Sequence, residues 1–70
     1  MAKTENKPLP RLMSPNEVAA ATTMSKTLVR ILTLEGRFPK PVQIGEKRIA
    51  YVRAEVEAWI DERISGRAAA

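Results

Sequence analysis

Ser14 and Ser25 stand eleven residues apart, each preceded by a methionine (Met13, Met24) and followed four positions on by a valine (Val18, Val29). No other pattern in the chain restricts the fold as much. A serine just ahead of a helix accepts a hydrogen bond from a backbone N–H that has no partner inside the helix. The apolar residue before the cap can pack on the fourth helical residue as a staple. The first copy is reinforced, because Pro15 suits the first helical position and Glu17 completes a Ser-x-x-Glu capping box. Eleven residues between caps admit about two helical turns and then a tight turn of three or four residues. That is helix-turn-helix spacing.

The pattern predicts a first helix over residues 15–20 or 15–21, with Thr22-Thr23-Met24 as the turn. A second helix follows over residues 26–35, and Gly36 suits a left-handed position after its end. Phe38-Pro39-Lys40-Pro41 breaks the helical run, since each proline holds the residue before it in extended geometry. Val42 and Ile44 then alternate with Gln43, Gly45-Glu46-Lys47 supplies a turn, and residues 48–52 return. A short two-stranded hairpin is predicted, its proline-led strand at an edge. Val52, Val56, Trp59, Ile60 and Ile64 share one face of a last helix starting near Arg53, with Glu55, Glu57, Asp61 and Glu62 mostly off it. Gly66 is expected to end that helix. Trp59 is read as a core anchor rather than a stacking platform for a base, and Leu12 is expected to pack inward. The predicted fold is mainly α with a small β-hairpin: a winged helix-turn-helix over residues 11–64, in the order helix-turn-helix-hairpin-helix. Residues 1–10 read as a flexible N-terminal arm, and residues 65–70 as a frayed C-terminal tail.

A chain of 70 residues makes one small domain whose core cannot enclose a deep cavity. It has no cysteine and no histidine, which excludes disulfides, cysteine-rich zinc sites and histidine-based acid–base pairs. No catalytic residue, metal, cofactor or small-molecule substrate is expected. The polar first ten residues lack the apolar run of a signal peptide, and no stretch approaches a membrane span. A cytoplasmic protein is therefore expected.

Charge is more informative than size. The net charge is +4, yet between Lys26 and Arg53 seven basic residues face only Glu35 and Glu46. That segment holds more than the whole net charge, while residues 54–62 carry four acidic residues and no basic one. Such polarity suits a molecule that turns one face to a polyanion and another to water. On a helical wheel Leu28, Val29 and Leu32 share the predicted core arc of the second helix, while Lys26, Arg30 and Thr33 cluster opposite, flanked by Thr27. Lys26 and Thr27 fall in the first turn, the part of a recognition helix that reaches base edges. Arg30 suits a guanine or a phosphate. In the hairpin turn, Lys47 and Arg48 are placed for backbone or minor-groove contact, which adds affinity without reading sequence. Arg37 and Lys40 flank the base of the hairpin and are weaker candidates, and Gly45 is read as turn geometry. Ile31 and Leu34 fall outside the core arc. Packing under the wing, a thymine methyl and a contact between protomers are all open to them.

Taken together, Met13-Ser14-Pro15-Asn16-Glu17-Val18, Met24-Ser25-Lys26-Thr27, Gly36-Arg37-Phe38-Pro39-Lys40-Pro41-Val42 with Gly45, and Glu55-Val56-Glu57-Ala58-Trp59-Ile60 resemble the AlpA-type phage and prophage regulators. These are small winged helix-turn-helix proteins related to excisionases and to the DNA-binding domain of MerR-type regulators. The resemblance covers residues 12–64. It implies a bacterial, nucleoid-associated regulator that binds double-stranded DNA sequence-specifically, as a transcription regulator, an excisionase-like recombination factor, or both. Carried onto matching positions, it implies reading by Ser25, Lys26, Thr27 and Arg30, with wing contacts from Lys47 and Arg48. Further copies of the chain on repeated sites, and an integrase, are implied partners. The chain departs from the pattern at Thr23, where glycine is usual, and at Arg30, often aromatic. Ile31 and Glu35 replace commonly basic residues, and Tyr51 stands for the wing tryptophan. The alternative reading is a protein-interaction module that binds an integrase or transcription partner through its acidic last helix.

Overall fold

Both serines cap helices. Ser14 is extended (φ −72°, ψ 162°), its Oγ accepts from the Glu17 N–H at 3.1 Å, and Glu17 Oε1 accepts from the Ser14 N–H at 2.8 Å. This closes the capping box and starts α1 (Pro15–Thr22). Ser25 repeats the geometry (φ −72°, ψ 158°), its Oγ accepting from the Leu28 N–H at 3.0 Å to start α2 (Lys26–Leu34). The structure, a computed structural model, describes residues 9–67. Most of the predicted arm (residues 1–8) and the end of the predicted tail (residues 68–70) lie outside the described residues.

The helix ends differ from one another. α1 runs to Thr22, past its expected end, and the Thr22 hydroxyl donates back to the Val18 carbonyl at 2.8 Å. The next residue, Thr23, is left-handed (φ 60°, ψ 21°), a conformation that is unusual for a β-branched side chain. α2 ends as glycine predicts. Gly36 takes φ 76°, its N–H donates to the Thr33 carbonyl at 3.1 Å, and the Arg37 N–H reaches the Leu32 carbonyl at 2.9 Å.

A three-stranded antiparallel sheet replaces the expected two-stranded hairpin. β1 (Leu12–Met13) and β2 (Val42–Gln43) flank a central β3 (Ile49–Val52). Met13 pairs with Tyr51 and Leu12 with Val52 on one side; Val42 pairs with Ala50 and Gln43 with Ile49 on the other. The proline-led β2 does lie at an edge. Neighbouring strand residues point to opposite faces. Met13, stapled ahead of α1, is 3% exposed, so Leu12 turns outward at 38%. The inward placement expected for Leu12 belongs to Met13.

The last helix, α3 (Arg53–Arg67), begins directly from β3. It lacks a serine cap, but Arg53 ties its start to the entry of β1: the backbone N–H donates to the Arg11 carbonyl at 2.8 Å and Nε to the Pro10 carbonyl at 2.6 Å. Gly66 does not end α3, which continues through it to Arg67.

The core gathers Met13, Val18, Val29, Phe38, Tyr51 and Val56, with Met24, Leu32, Trp59 and Ile60 packed against it. The chain's single phenylalanine, tyrosine and tryptophan meet there. Phe38 lies edge-on to Tyr51 (centroids 5.6 Å apart, 73°) and to Trp59 (4.8 Å, 61°). Trp59 is half-buried, donates from Nε1 to the Arg37 carbonyl at 2.9 Å, and has the Arg63 guanidinium over its ring at 4.7 Å. Its ring lies against the core cluster, so it is an anchor in the predicted sense, though a half-buried one. Tertiary burial of this kind is the main source of stability for helices as short as α1 and α2. Ile64, expected on the buried face, is 51% exposed.

Candidate nucleic-acid interface

α2 packs on α1, burying Val29 to 2% exposure, with Leu32 and Thr33 half-buried beside it, and Thr33 reaches the sheet at Tyr51. The buried arc is thus turned about 40° from the hydropathy-based one, given about 100° per residue. Two expectations change with it. Leu28, predicted to face the core, is 41% exposed. Thr33, predicted on the outer arc with Lys26 and Arg30, is half-buried instead. Its hydroxyl donates to the Val29 carbonyl at 2.8 Å and lies 3.2 Å from the Tyr51 hydroxyl. A tyrosine hydroxyl across the interface satisfies the threonine, which makes the inward position inexpensive.

The remaining residues singled out on α2 stay exposed. Ser25 holds the cap, Lys26 and Thr27 occupy the first turn, and Arg30 lies one turn on. The helix carries no acidic side chain, whereas α1 has Glu17 in its first turn. Among the described residues neither Lys26 nor Arg30 makes an ion pair; the pairs present are Arg37 with Glu35 at 3.5 Å and Arg53 with Glu57 at 3.9 Å. A cation held by no carboxylate keeps its full attraction for a phosphate.

Lys47 and Arg48 form a second basic group, exposed in the β2–β3 connection. The Arg48 carbonyl accepts from the N–H groups of Ile44 (2.9 Å) and Gly45 (3.3 Å), closing the neck of the turn. Gln43 braces it from within, its Nε2 donating to the carbonyls of Gly45 at 2.6 Å and Glu46 at 3.1 Å. Gly45 is not left-handed, and an added Cβ would meet only Arg48 Cβ at 4.0 Å, so the turn does not demand glycine there. The connection lies beside the start of α1, where an open groove is lined by Pro15, Asn16, Glu17, Lys47, Arg48 and Ile49 among others. The two basic groups thus sit on different elements, Lys26 and Arg30 on α2 and Lys47 and Arg48 on the β2–β3 connection. Lys40 and Arg37, the weaker candidates, are exposed at the base of the hairpin, Arg37 paired with Glu35.

Sequence reasoning missed several residues that build this surface. Phe38 sits among prolines, where no periodicity marks it as buried. Tyr51 orients Thr33, Gln43 braces the wing, and Arg53 joins β1 to α3; none carries a local motif. Among the described residues there is no group of three or more side chains suited to a metal, and no helix long and apolar enough to cross a membrane.

Comparison with known proteins places these features in a lineage. The family model for prophage CP4-57 regulatory protein (AlpA) matches residues 11–64, from β1 through most of α3. The uncharacterised protein ORF88 of Enterobacteria phage P4 is 35% identical over 57 residues, 81% of this chain. The matched stretch spans 65% of that protein's length. No solved structure gives a significant match.

Proposed function

The chain belongs to the AlpA family of prophage regulatory proteins, and from that premise we propose that it binds double-stranded DNA sequence-specifically. One observation carries the reading: α2 presents Lys26 and Arg30 on a helix free of carboxylates, held against α1 by a serine-capped turn. In this reading α2 enters the major groove, with Ser25, Lys26, Thr27 and Arg30 toward bases and flanking phosphates. Lys47 and Arg48 take the adjacent backbone or minor groove, which sets register and adds salt-sensitive affinity. Thr33 keeps Tyr51 as its partner and makes no DNA contact.

A single module of this kind covers only about 600–1,000 Å² of protein surface on DNA. Useful occupancy then comes from several copies on repeated sites. The same grip serves a transcription regulator at a promoter and an excisionase-like factor at an attachment site beside an integrase.

Selecting bound fragments from a genomic DNA pool, followed by affinity measurement at several salt concentrations, tests the reading. A recurrent motif with steeply salt-dependent affinity is the expected result. Lys47→Ala with Arg48→Ala should weaken binding to all sequences alike and flatten the salt slope by about 2. No enrichment, with negligible retention on DNA even at low salt, would overturn the proposal and leave the acidic face of α3 as the working surface.

A further inference from the structure

The side of α2 turned away from the core carries Thr27, Arg30, Ile31 and Leu34, spaced as one continuous helical row. Two of the four are large and apolar. Ile31 is 44% exposed, and Leu34, at 77%, is the most exposed large apolar side chain among the described residues. Resting on the DNA-binding reading above, we propose that Ile31 and Leu34 are specificity-determining residues that contact the C5-methyl groups of thymine in the major groove.

The row's chemistry points to that partner. Phosphates line a DNA groove, and the thymine methyl is the main apolar feature on its floor. A surface that alternates a cation with aliphatic groups, next to Lys26, with no carboxylate within the helix and with the C-cap Glu35 paired to Arg37, complements both. Two aliphatic side chains are too few for a stable contact with a second copy, which needs about 800 Å² per partner. From Thr27 to Leu34 the row rises about 10 Å, the length of about three base-pair steps. Arg30 lies midway in the row, so a guanine contact and neighbouring methyl contacts fall within one short word of sequence.

The test replaces each thymine of the selected site, one at a time, by deoxyuridine, which removes only the methyl. Affinities are measured for the wild-type chain and for Ile31→Ala and Leu34→Ala, with circular dichroism confirming their fold. Both side chains project outward, so truncation leaves the core intact. Uracil at one or two positions should weaken wild-type binding about fourfold per methyl. Each alanine variant should lose the penalty at its own position and keep it at the other. Equal affinity for thymine and uracil at every position would overturn the assignment, as would a penalty that survives in both variants. Sedimentation in which either variant dissociates a dimer while the penalty persists would make the row a contact between copies instead. Failure to find any preferred site would remove the DNA-binding reading itself, whereas a preferred site indifferent to the methyl removes only this step.

Discussion

α1 and α2 begin with the same local code and diverge within one turn. Both start from a serine cap, and both bury the valine four residues on, Val18 and Val29 at 0% and 2% exposure. α1 adds a carboxylate to its first turn and closes a capping box, whereas α2 has Leu28 at the matching position and one bond from its serine. A carboxylate near a helix N-terminus stabilises the helix through the macrodipole and the cap. The same charge repels phosphate. α2 forgoes that stabilisation, and what it keeps is a first turn whose only charge is Lys26. The helix ends differ in the opposite sense: α2 closes on a relaxed glycine motif, and α1 on a left-handed threonine. Repetition of a folding signal therefore says where helices start, and the departures from it leave one of the two helices without a carboxylate.

If both helices stand on one core, they should fall together. Trp59 packs on Phe38, beside the cluster that buries Val18 and Val29. Trp59→Ala should cost about 3–5 kcal/mol, enough to unfold a small domain in a single transition. Circular dichroism on heating would check this. A variant that stays folded and loses only DNA binding would show that Trp59 belongs to the interface.

On the outer surfaces the helices should separate. Arg30→Ala should lower affinity for the selected site by about 1–3 kcal/mol and relax preference at one position, with the midpoint of thermal unfolding unchanged. Ala20 is also exposed but lies on α1, and Ala20→Ser should alter binding far less. Equal losses from both would erase the distinction between a supporting and a reading helix.

Much of this division is legible in the chain because caps are local. Ser14, Glu17, Ser25 and Gly36 act within four residues of themselves, so their roles follow from spacing alone. Strand β1 is different. Two residues cannot display an alternation, and only the arrival of β3 some forty residues later gives Met13 a partner. Phe38 was hidden in the same way, by prolines that mark extended backbone but say nothing of burial. The rotated arc of α2 runs against hydropathy, which prefers Leu28 to Thr33 for the inside; the Val29 carbonyl and the Tyr51 hydroxyl satisfy the threonine there and so make its burial tolerable. The basic residues were legible as a set through the charge count. Spacing also divides them into a helical group and a turn group; that the turn group lies beside the start of α1 depends on where the sheet carries Lys47 and Arg48.

The missing carboxylate can be supplied. Leu28→Glu gives α2 the capping box of α1, and Leu28→Gln gives the same hydrogen bond without charge. Leu28 is partly exposed, so either change should leave stability within about 0.5 kcal/mol of the parent, cap gain offsetting lost apolar contact. Glutamate should weaken DNA binding about five- to tenfold and glutamine much less, because only glutamate sets an anion beside the phosphates. Equal weakening by both would locate the effect in the lost leucine rather than in the charge.

The smallest effect belongs to the turn between the helices. Thr23 at φ 60° sits where an L-residue is disfavoured by about 1–2 kcal/mol. Glycine removes that penalty but adds freedom to the unfolded chain, worth about 0.5–1 kcal/mol in the other direction. Thr23→Gly should therefore raise stability by about 0.5–1 kcal/mol, visible as a shift of a few degrees in the unfolding midpoint. Binding should not change, because α2 takes its start from Ser25 and its inner face from Val29, neither of which depends on the Thr23 side chain. A gain in stability with a loss of affinity would mean that the strained turn fixes the angle between α1 and α2 more tightly than glycine can. The turn would then share in orienting the reading helix, and the contrast between the two helices would extend to the link that joins them.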